Sequence, residues 1–498
     1  MSVTTTYLSK TEVQSLLGVT AFGLWRITRK YDDFPTPESD PDPFATKDDE
    51  VWDGTELYRW AAKTPEFEHR GAALLRPLPD DLSPGKWAGY QDTPKGPALD
   101  WHTVLGTLRL VHTSKNQTAS AVAADLAQRG NPDGVTSVCA LYGDISFSGP
   151  ALVAADTAHP TIEYEAQWGV VAQLAGQDLP WWPGLLRSAQ LIRQWHPGAP
   201  ALVAEVPASA REQILRRAAA NGVFDATAQA VLTDMANDLR NDRVRDAEHD
   251  IELFGRHSTH LVIGARPDIS QHPLPTIDDR QVLAAGWKAI AASSHPDAVA
   301  ALELVLARDP RLLPFGALTK LALRPGTIAE QWVRRLTLCD PTAAHAALAG
   351  DRPVDAFFVD PLTDMPVLRT TTGDTPGLRF YAPLALPDTG AELTSVVLDG
   401  TVWVKTSDGQ VHPAPCTPNE HLWWGDGWGD KPSEAATVIT TLLDNLGATV
   451  DLREHWKVAP RGLTALLEKQ AKPGPTEIAR HTLLHARMTT PPRSSYED

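Results

Sequence analysis

Forty-one of the 498 residues are proline, and their spacing divides the chain before any other signal is weighed. Proline has no backbone N–H and a ring that clashes with the preceding turn, so helix interiors and central strands exclude it. The prolines therefore mark connections. Two early clusters stand out: the acidic run Tyr31 to Glu50 (YDDFPTPESDPDPFATKDDE) and the loose run Pro77 to Pro97 (PLPDDLSPGKWAGYQDTPKGP). The second reads as a linker, which gives a first domain at residues 1–70 and a linker at 71–98.

Beyond it the periodicity changes three times. Residues 99–205 read as a mixed α/β region, with VTSVCALYG and ALVAAD as short buried strands around the turn FSGP, and ASAVAADLAQRG as a helix ending at Gly130. Residues 206–350 are helical: SAREQILRRAAANG and ATAQAVLTDMANDLRNDRVRDAEHDIELFG return an apolar residue every three or four positions. In residues 351–488 the period falls to two as far as Val411, which predicts an antiparallel sheet. Asp399-Gly400 and Asp408-Gly409 are its expected hairpin turns, because Asp and Gly tolerate the positive φ such turns need. Two helices follow, PSEAATVITTLLDNLG and GLTALLEKQ, and residues 489–498 read as a frayed tail. The expected class is an α+β multidomain protein.

Composition removes several function classes. No run approaches the roughly 18 to 20 apolar residues of a membrane helix, and MSVTTTYLSKTEV lacks the basic-then-apolar pattern of a secretory signal. The expectation is a cytoplasmic protein with no membrane partner. Cys139, Cys339 and Cys416 lie too far apart in sequence for a disulfide framework or a CxxC metal knuckle. With 45 Lys+Arg against 62 Asp+Glu the net charge is -17, which opposes coating of nucleic acid by the whole surface but permits a local DNA-reading module.

The N-terminal residues point to such a module. Ser9-Lys-Thr-Glu12 is a capping box, Val13, Leu16 and Leu17 give the helix it starts one apolar face, and Gly18 ends that helix. Thr20 caps a second helix, Ala21 to Lys30, with Leu24 and Ile27 inward and Arg26, Arg29 and Lys30 outward. Two short helices joined so tightly form a helix-turn-helix. The pattern YLSKTEVQSLLGVTAFGLWRITRKYDDFPTP, followed by VWDGTELYRWA, resembles the excisionase and MerR-like winged helix-turn-helix domains of phages, plasmids and actinobacterial chromosomes. Val51, Trp52, the cap Asp53, Leu57, Trp60 and Ala61 match the closing signature, and the resemblance covers about residues 7 to 63.

The resemblance implies that Ala21 to Lys30 enters the major groove of duplex DNA, with Thr20, Arg26, Arg29 and Lys30 as DNA-binding residues. It also implies a role in a phage, plasmid or integrated element. The first 31 residues carry four basic side chains against Glu12 alone, whereas residues 32–53 carry Lys47 against nine acids. Phosphates repel the latter. Two other readings therefore stay open: a protein-interaction protein whose helix-turn-helix has lost DNA, and a metal-dependent nuclease or other DNA-processing enzyme. On the first reading the acidic body mediates protein contacts, and a protein partner or homo-oligomer is expected, since one small module buries too little surface for specific DNA affinity.

Other motifs have structural readings. Residues 378–447, with His421 to Pro432 (HLWWGDGWGDKP), resemble a small WGYGGSGP-type domain of unknown function through Trp424, Gly425, Gly427, Gly429 and Pro432; tight strand-to-helix packing is the expectation. His249, His257 and His260 match no zinc spacing, and no metal or cofactor is expected. Asp144, Asp156, Glu163 and Glu165 near strand ends are the candidates for a nuclease, yet no lysine follows in IEYEAQW. No catalytic residue is assigned, for the chain lacks a Gly-x-Ser-x-Gly elbow, a His-Glu-x-x-His helix and a dinucleotide-binding glycine fingerprint. Trp181-Trp182 and Trp423-Trp424 are expected as core anchors. The arginines around Arg211, Arg216, Arg217, Arg240, Arg243 and Arg245 alternate with acids, as on a salt-bridged solvent face.

Overall fold

The computed structural model describes residues 7–39, 50–53, 56–57, 60–61, 64, 66–67, 83–103, 106–113, 119–128, 135–146, 149–156, 159–257, 260–372, 375–418, 420–425, 429–452, 455–470 and 475–489. The chain is mixed α and β and clusters into two units: residues 1–207 with 241–273, and residues 208–240 with 274–498. None of the described helices is long and apolar enough to cross a membrane.

The first unit opens with strand β1 (Tyr7–Ser9), helix α1 (Lys10–Leu17) and helix α2 (Ala21–Lys30). Glu12 N–H donates to Ser9 Oγ at 3.4 Å while Ser9 N–H donates to Glu12 Oε2 at 2.7 Å, so the capping box starts α1 where the sequence places it. Gly18 adopts φ +64°, a left-handed turn that other residues resist. Strands β2 (Glu38–Ser39) and β3 (Glu50–Asp53) complete an antiparallel sheet in the order β1-β3-β2. Val13, Leu17, Leu24, Ile27, Trp52, Leu57, Trp60 and Phe67 are buried together. Trp60 is the hub, edge-on to Tyr31 and Phe34 at 5.2 and 4.8 Å and 5.4 Å from Phe67. Leu16 lies outside the described side chains.

A six-stranded sheet follows: β4 (Lys86–Thr93), β5 (Gly96–Thr103), β6 (Gly106–His112), β7 (Val135–Ser146), β8 (Gly149–Asp156) and β9 (His159–Glu165), in sequence order. Only β6 and β7 pair parallel, and helix Ala119–Gln128 makes the crossover this requires. That helix packs Val122, Ala123 and Ala127 against Ala98, Val111 and Ala155. Leu99, Trp101, Leu108, Leu110 and Leu152 face a separate core with helix Trp168–Ala175. The linker expected at 71–98 is corrected over its second half, where β4 and the start of β5 form a hairpin. Its aromatic residues hold it: Trp87 packs edge-on to Trp101 at 5.1 Å and Trp195 at 5.2 Å, and Pro94 is confined to the turn. Two short parallel pairs finish this unit, β10 (Leu179–Trp181) with β12 (Leu261–Ile263) and β11 (Leu202–Ala204) with β13 (Ala265–Pro267). The 32-residue helix Ala226–His257 gives its residues up to Arg240 to the second unit and the rest to the first.

In the second unit, helices Ala210–Ala220, Arg280–Ala292 and Pro296–Arg308 surround Val231, Leu232, Trp287 and Leu302. The sheet beside them is fully antiparallel in the order β14-β18-β17-β16-β15: β14 (Leu318–Ala322), β15 (Thr337–Leu338), β16 (Ala356–Asp360), β17 (Met365–Thr372) and β18 (Thr375–Tyr381). One face packs Leu368 and Tyr381 on those helices, and the other packs Val367, Leu378 and Phe380 with Trp332 and Trp403.

The long strand β19 (Leu393–Thr406) pairs with β20 (Val411–Pro413), β21 (Trp423–Trp424) and β22 (Thr476–Ala479). Helices Pro432–Asp444, Arg461–Lys469 and Arg480–Met488 cover the core beside it. Asp408-Gly409 makes the expected hairpin between β19 and β20. Asp399-Gly400 does not make one. Gly400 bends β19 at φ +67°, Trp403 Nε1 donates to Asp399 O at 2.9 Å, and the strand changes partner there from β22 to β21. The expected tail at 489–498 lies outside the described residues beyond Thr489.

Two buried groups yield tests. Trp60→Ala should cost about 3 to 5 kcal/mol in residues 7–67 alone, seen as faster amide exchange in α1 and α2 with unchanged protection in the six-stranded sheet. Asp360 is fully buried on β16; its burial acts to raise its pKa, but the Arg335 and Trp332 hydrogen bonds prevail and hold it below the usual 3.8. A depressed carboxylate stabilises above its unfolded pKa and loses that contribution as pH falls through the folded one. Asp360→Asn should therefore lower the thermal midpoint at pH 7, by a change worth about 3 to 5 kcal/mol, and the gap from the parent should narrow below pH 3.8.

Candidate nucleic-acid interface

Helix α2 owes its orientation to its inner face. Leu24 and Ile27, one turn apart, are buried in the N-terminal core, so positions 22, 25, 26 and 29 face solvent. Phe22 is 66% exposed and Trp25 48%, and Arg26 and Arg29 are exposed beside them. The Phe22 and Trp25 rings stack with centroids 5.5 Å apart, and the Arg29 guanidinium lies 4.3 Å over the Trp25 ring. Thr20 is the N-cap, its Oγ1 accepting from Gly23 N–H at 3.2 Å, which leaves its hydroxyl proton available to donate.

The four residues assigned from sequence thus stand on one helix, but not in one state. Lys30 Nζ donates to Glu66 Oε2 at 2.5 Å, and the Tyr31 hydroxyl donates to the same oxygen at 2.6 Å. The hydrogen bonds from Lys30 and then Tyr31 hold the Glu66 carboxyl below its usual range, and the Glu66 bond raises the Lys30 ammonium. Lys30 therefore reaches a phosphate only by leaving Glu66. Lys10 is likewise occupied, 3.7 Å from Glu50. Among the described residues Arg26 and Arg29 make no ion pair, and they form the available positive charge of this face.

The acidic segment after α2 is fastened to the module at its start. Asp33 Oδ1 accepts from Trp60 Nε1, and Pro35 O accepts from Trp52 Nε1, each at 3.1 Å. Residues 40–49, with four of its eight acids, lie outside the described residues. Sequence reasoning missed both the aromatic pair and Glu66. The pair was legible as positions 22, 25 and 29 opposite the inward Leu24 and Ile27; Glu66, 36 residues from Lys30, left no local signal.

Elsewhere the candidates resolve into structure. His249 and His260 are exposed, the His257 side chain lies outside the described ones, and the described residues contain no group of three His, Cys, Asp or Glu placed to hold a metal. The side chains of Asp144, Asp156, Glu163 and Glu165 also lie outside the described ones. Trp181 and Trp182 are fully buried, Trp181 stacked on Phe254 at 4.7 Å, and Trp424 is buried in the core beside β19. In the glycine-rich turn, Gly425 N–H donates to Asp430 Oδ1 at 2.7 Å, so the acid takes the amide an anion would need. Arg216 donates to Glu212 at 3.0 Å and Arg245 pairs with Asp242, as expected of a salt-bridged face, but Arg240 and Glu212, 3.9 Å apart, are buried and correct the expectation of a solvent face there.

A cavity of about 470 Å³ in the second unit is lined in part by Cys339, His345, Phe315 and Met365. Cys339 Sγ is 3.7 Å from His345 Nε2, a spacing at which a nucleophile and its base are often sought. The hydrogen bonds oppose that role. His345 Nε2 donates to Phe358 O at 2.8 Å and Nδ1 accepts from Thr342 N–H at 3.2 Å, so the ring has no free lone pair for the thiol. Burial lowers the His345 pKa and raises that of Cys339, the opposite of an activated thiolate.

Compared with family models, with curated proteins and with solved structures, the chain matches none of them. As a test of the cap, Thr20→Ala should destabilise α2 by about 1 kcal/mol, measured as faster exchange of the Gly23 and Leu24 amides without change in α1.

Proposed function

We propose that residues 7–67 act as an excisionase-like winged helix-turn-helix that binds duplex DNA, with α2 as its reading helix. The observation that carries this reading is the solvent face of α2, where Arg26 and Arg29 stand without an ion pair among the described residues and Thr20 offers a hydroxyl at the helix N-terminus. Such a helix enters the major groove N-terminus first, arginine forks reach guanine edges, and an apolar ring such as Phe22 suits a thymine methyl. The strands β2 and β3 take the place of the wing. On this reading the remainder of the chain serves as an acidic protein-interaction body, and the protein acts in a phage, plasmid or integrated element.

The test is selection from a random duplex library by the full chain, repeated with Arg26→Ala/Arg29→Ala. An enriched motif that disappears in the double variant supports the reading, each lost guanine contact costing about 1 to 3 kcal/mol. The DNA-bound form should be a dimer or larger by light scattering, with half-sites spaced accordingly. Glu66→Gln should free Lys30 for a phosphate and steepen the slope of log K against log salt by about 0.9.

A second reading is favoured by the exposed Phe22–Trp25 stack: α2 docks on a protein, as exposed apolar patches often do. No enrichment from either the full chain or its variant would select that reading. Phe22→Ala/Trp25→Ala would then abolish partner capture more completely than loss of the arginines.

A further inference from the structure

On β14, Lys320 stands directly opposite Arg379 of β18, and Arg379 in turn opposes Leu368 of β17. Residues directly opposite in an antiparallel pair share a face, so two cations sit side by side, an unfavourable arrangement in a sheet. The same face carries Leu318, Leu368 and Tyr381 into the helical core at its other end. Toward the Lys320 end the cover stops, and the next row is small: Ala322, Gly377 and Thr370. An open cleft of about 750 Å³ results, with Arg352, just ahead of β16, as a third cation on its wall.

Three features of the cleft are unexplained by folding. Among the described residues no carboxylate lines it, although the chain carries 62 acidic residues. On the flanking segment, Asp355 already accepts from Thr371 Oγ1 at 2.7 Å. Most pointedly, Arg379 Nε and Nη1 are buried and have no hydrogen-bond partner among the described residues. Buried guanidinium donors without an acceptor oppose folding, and a bound anion is one of the few things that satisfies them.

We propose that this cleft binds a phosphate-bearing small molecule of nucleotide size. Arg379 lines the floor, where a guanidinium edge that pairs Nη2 with Nε or Nη1 matches two phosphate oxygens, and exposed Lys320 and Arg352 supply charge at the rim. Gly377 lines the floor, and the Thr370 side chain borders it with a hydroxyl. The volume lies in the range of pockets that enclose compact organic ligands. A polymer backbone running across the sheet would meet the rim cations but not the floor donors, which favours a ligand that enters end-on.

The experiment is isothermal titration of the full chain with inorganic phosphate, pyrophosphate and ATP as probes. Pyrophosphate or ATP should bind with Kd below about 1 mM, tighter than phosphate alone. Arg379→Lys, which keeps the charge but loses the fork, should weaken binding by roughly tenfold or more. Lys320→Gln/Arg352→Gln, two exposed changes that leave the core intact, should do the same with an unchanged circular dichroism spectrum. The proposal is overturned if neither pyrophosphate nor ATP binds, if phosphate alone binds as well as they do, or if binding survives Lys320→Gln/Arg352→Gln. It is also overturned if those substitutions weaken only oligonucleotide binding, which would assign the cations to a polymer.

Discussion

The second unit is organised around a carboxylate that water does not reach. Asp360 Oδ2 accepts from Trp332 Nε1 at 2.9 Å and from Arg335 Nη2 at 2.7 Å; Oδ1 accepts from Arg335 Nε and the Leu362 amide, each at 3.1 Å. Arg335 also donates through Nη1 to Val411 O at 2.8 Å. One ion pair thereby ties β16 of the five-stranded sheet to β20 beside β19, and the indoles of Trp332 and Trp403 fill the space between. Burial of charge is costly, and this pair is tolerable because every oxygen has two donors. The same burial lowers the neighbouring His412 to about 4, helped by the Arg335 charge, so at neutral pH the ring adds no second cation beside the guanidinium.

The surface of α2 is organised by weaker forces. The Arg29 cation lies over the Trp25 ring, a contact worth about 0.5 to 1 kcal/mol at an exposed site, and Trp25 is itself stacked on Phe22. The side chain is thus partly ordered before anything binds. Its guanidinium face is covered while the N–H edges remain in the plane, open to a bidentate acceptor. Arg26 has no such support. The two arginines differ in preorganisation although the sequence presents them as equivalents three residues apart.

Signals confined to a few neighbouring residues were legible. The Ser9–Glu12 box, the Thr20 cap, the turn at Asp408-Gly409 and the unbroken helix from Ala226 each depend on contacts within four or five positions, where sequence and geometry are nearly the same information. Asp399-Gly400 has the same letters as a hairpin turn but follows a different rule, because the partners of β19 come from residues 423–424 and 476–479. The hairpin at Lys86 to Thr103 was hidden by prolines that occupy its turn and ends, and its stabilising ring, Trp195, is about a hundred residues away. The N-terminal face was half legible for the same reason: the helix direction is local, whereas the Glu66 clamp on Lys30 is not. The basic cleft left no trace, since Lys320, Arg352 and Arg379 become neighbours only through strand pairing.

The partner change along β19 bears on how the chain is made. Ser395 pairs with Ala479 and Leu398 with Thr476, so this strand waits for a segment some eighty residues downstream. During synthesis, one edge of β19 emerges as an unpaired template while the ribosome is still adding the helices that will cover it. Non-local pairing of this kind is slow, and exposed strand edges recruit other strands. The interval before residue 479 leaves the exit tunnel is therefore when nascent chains are most open to capture by one another, and pausing there would lengthen it.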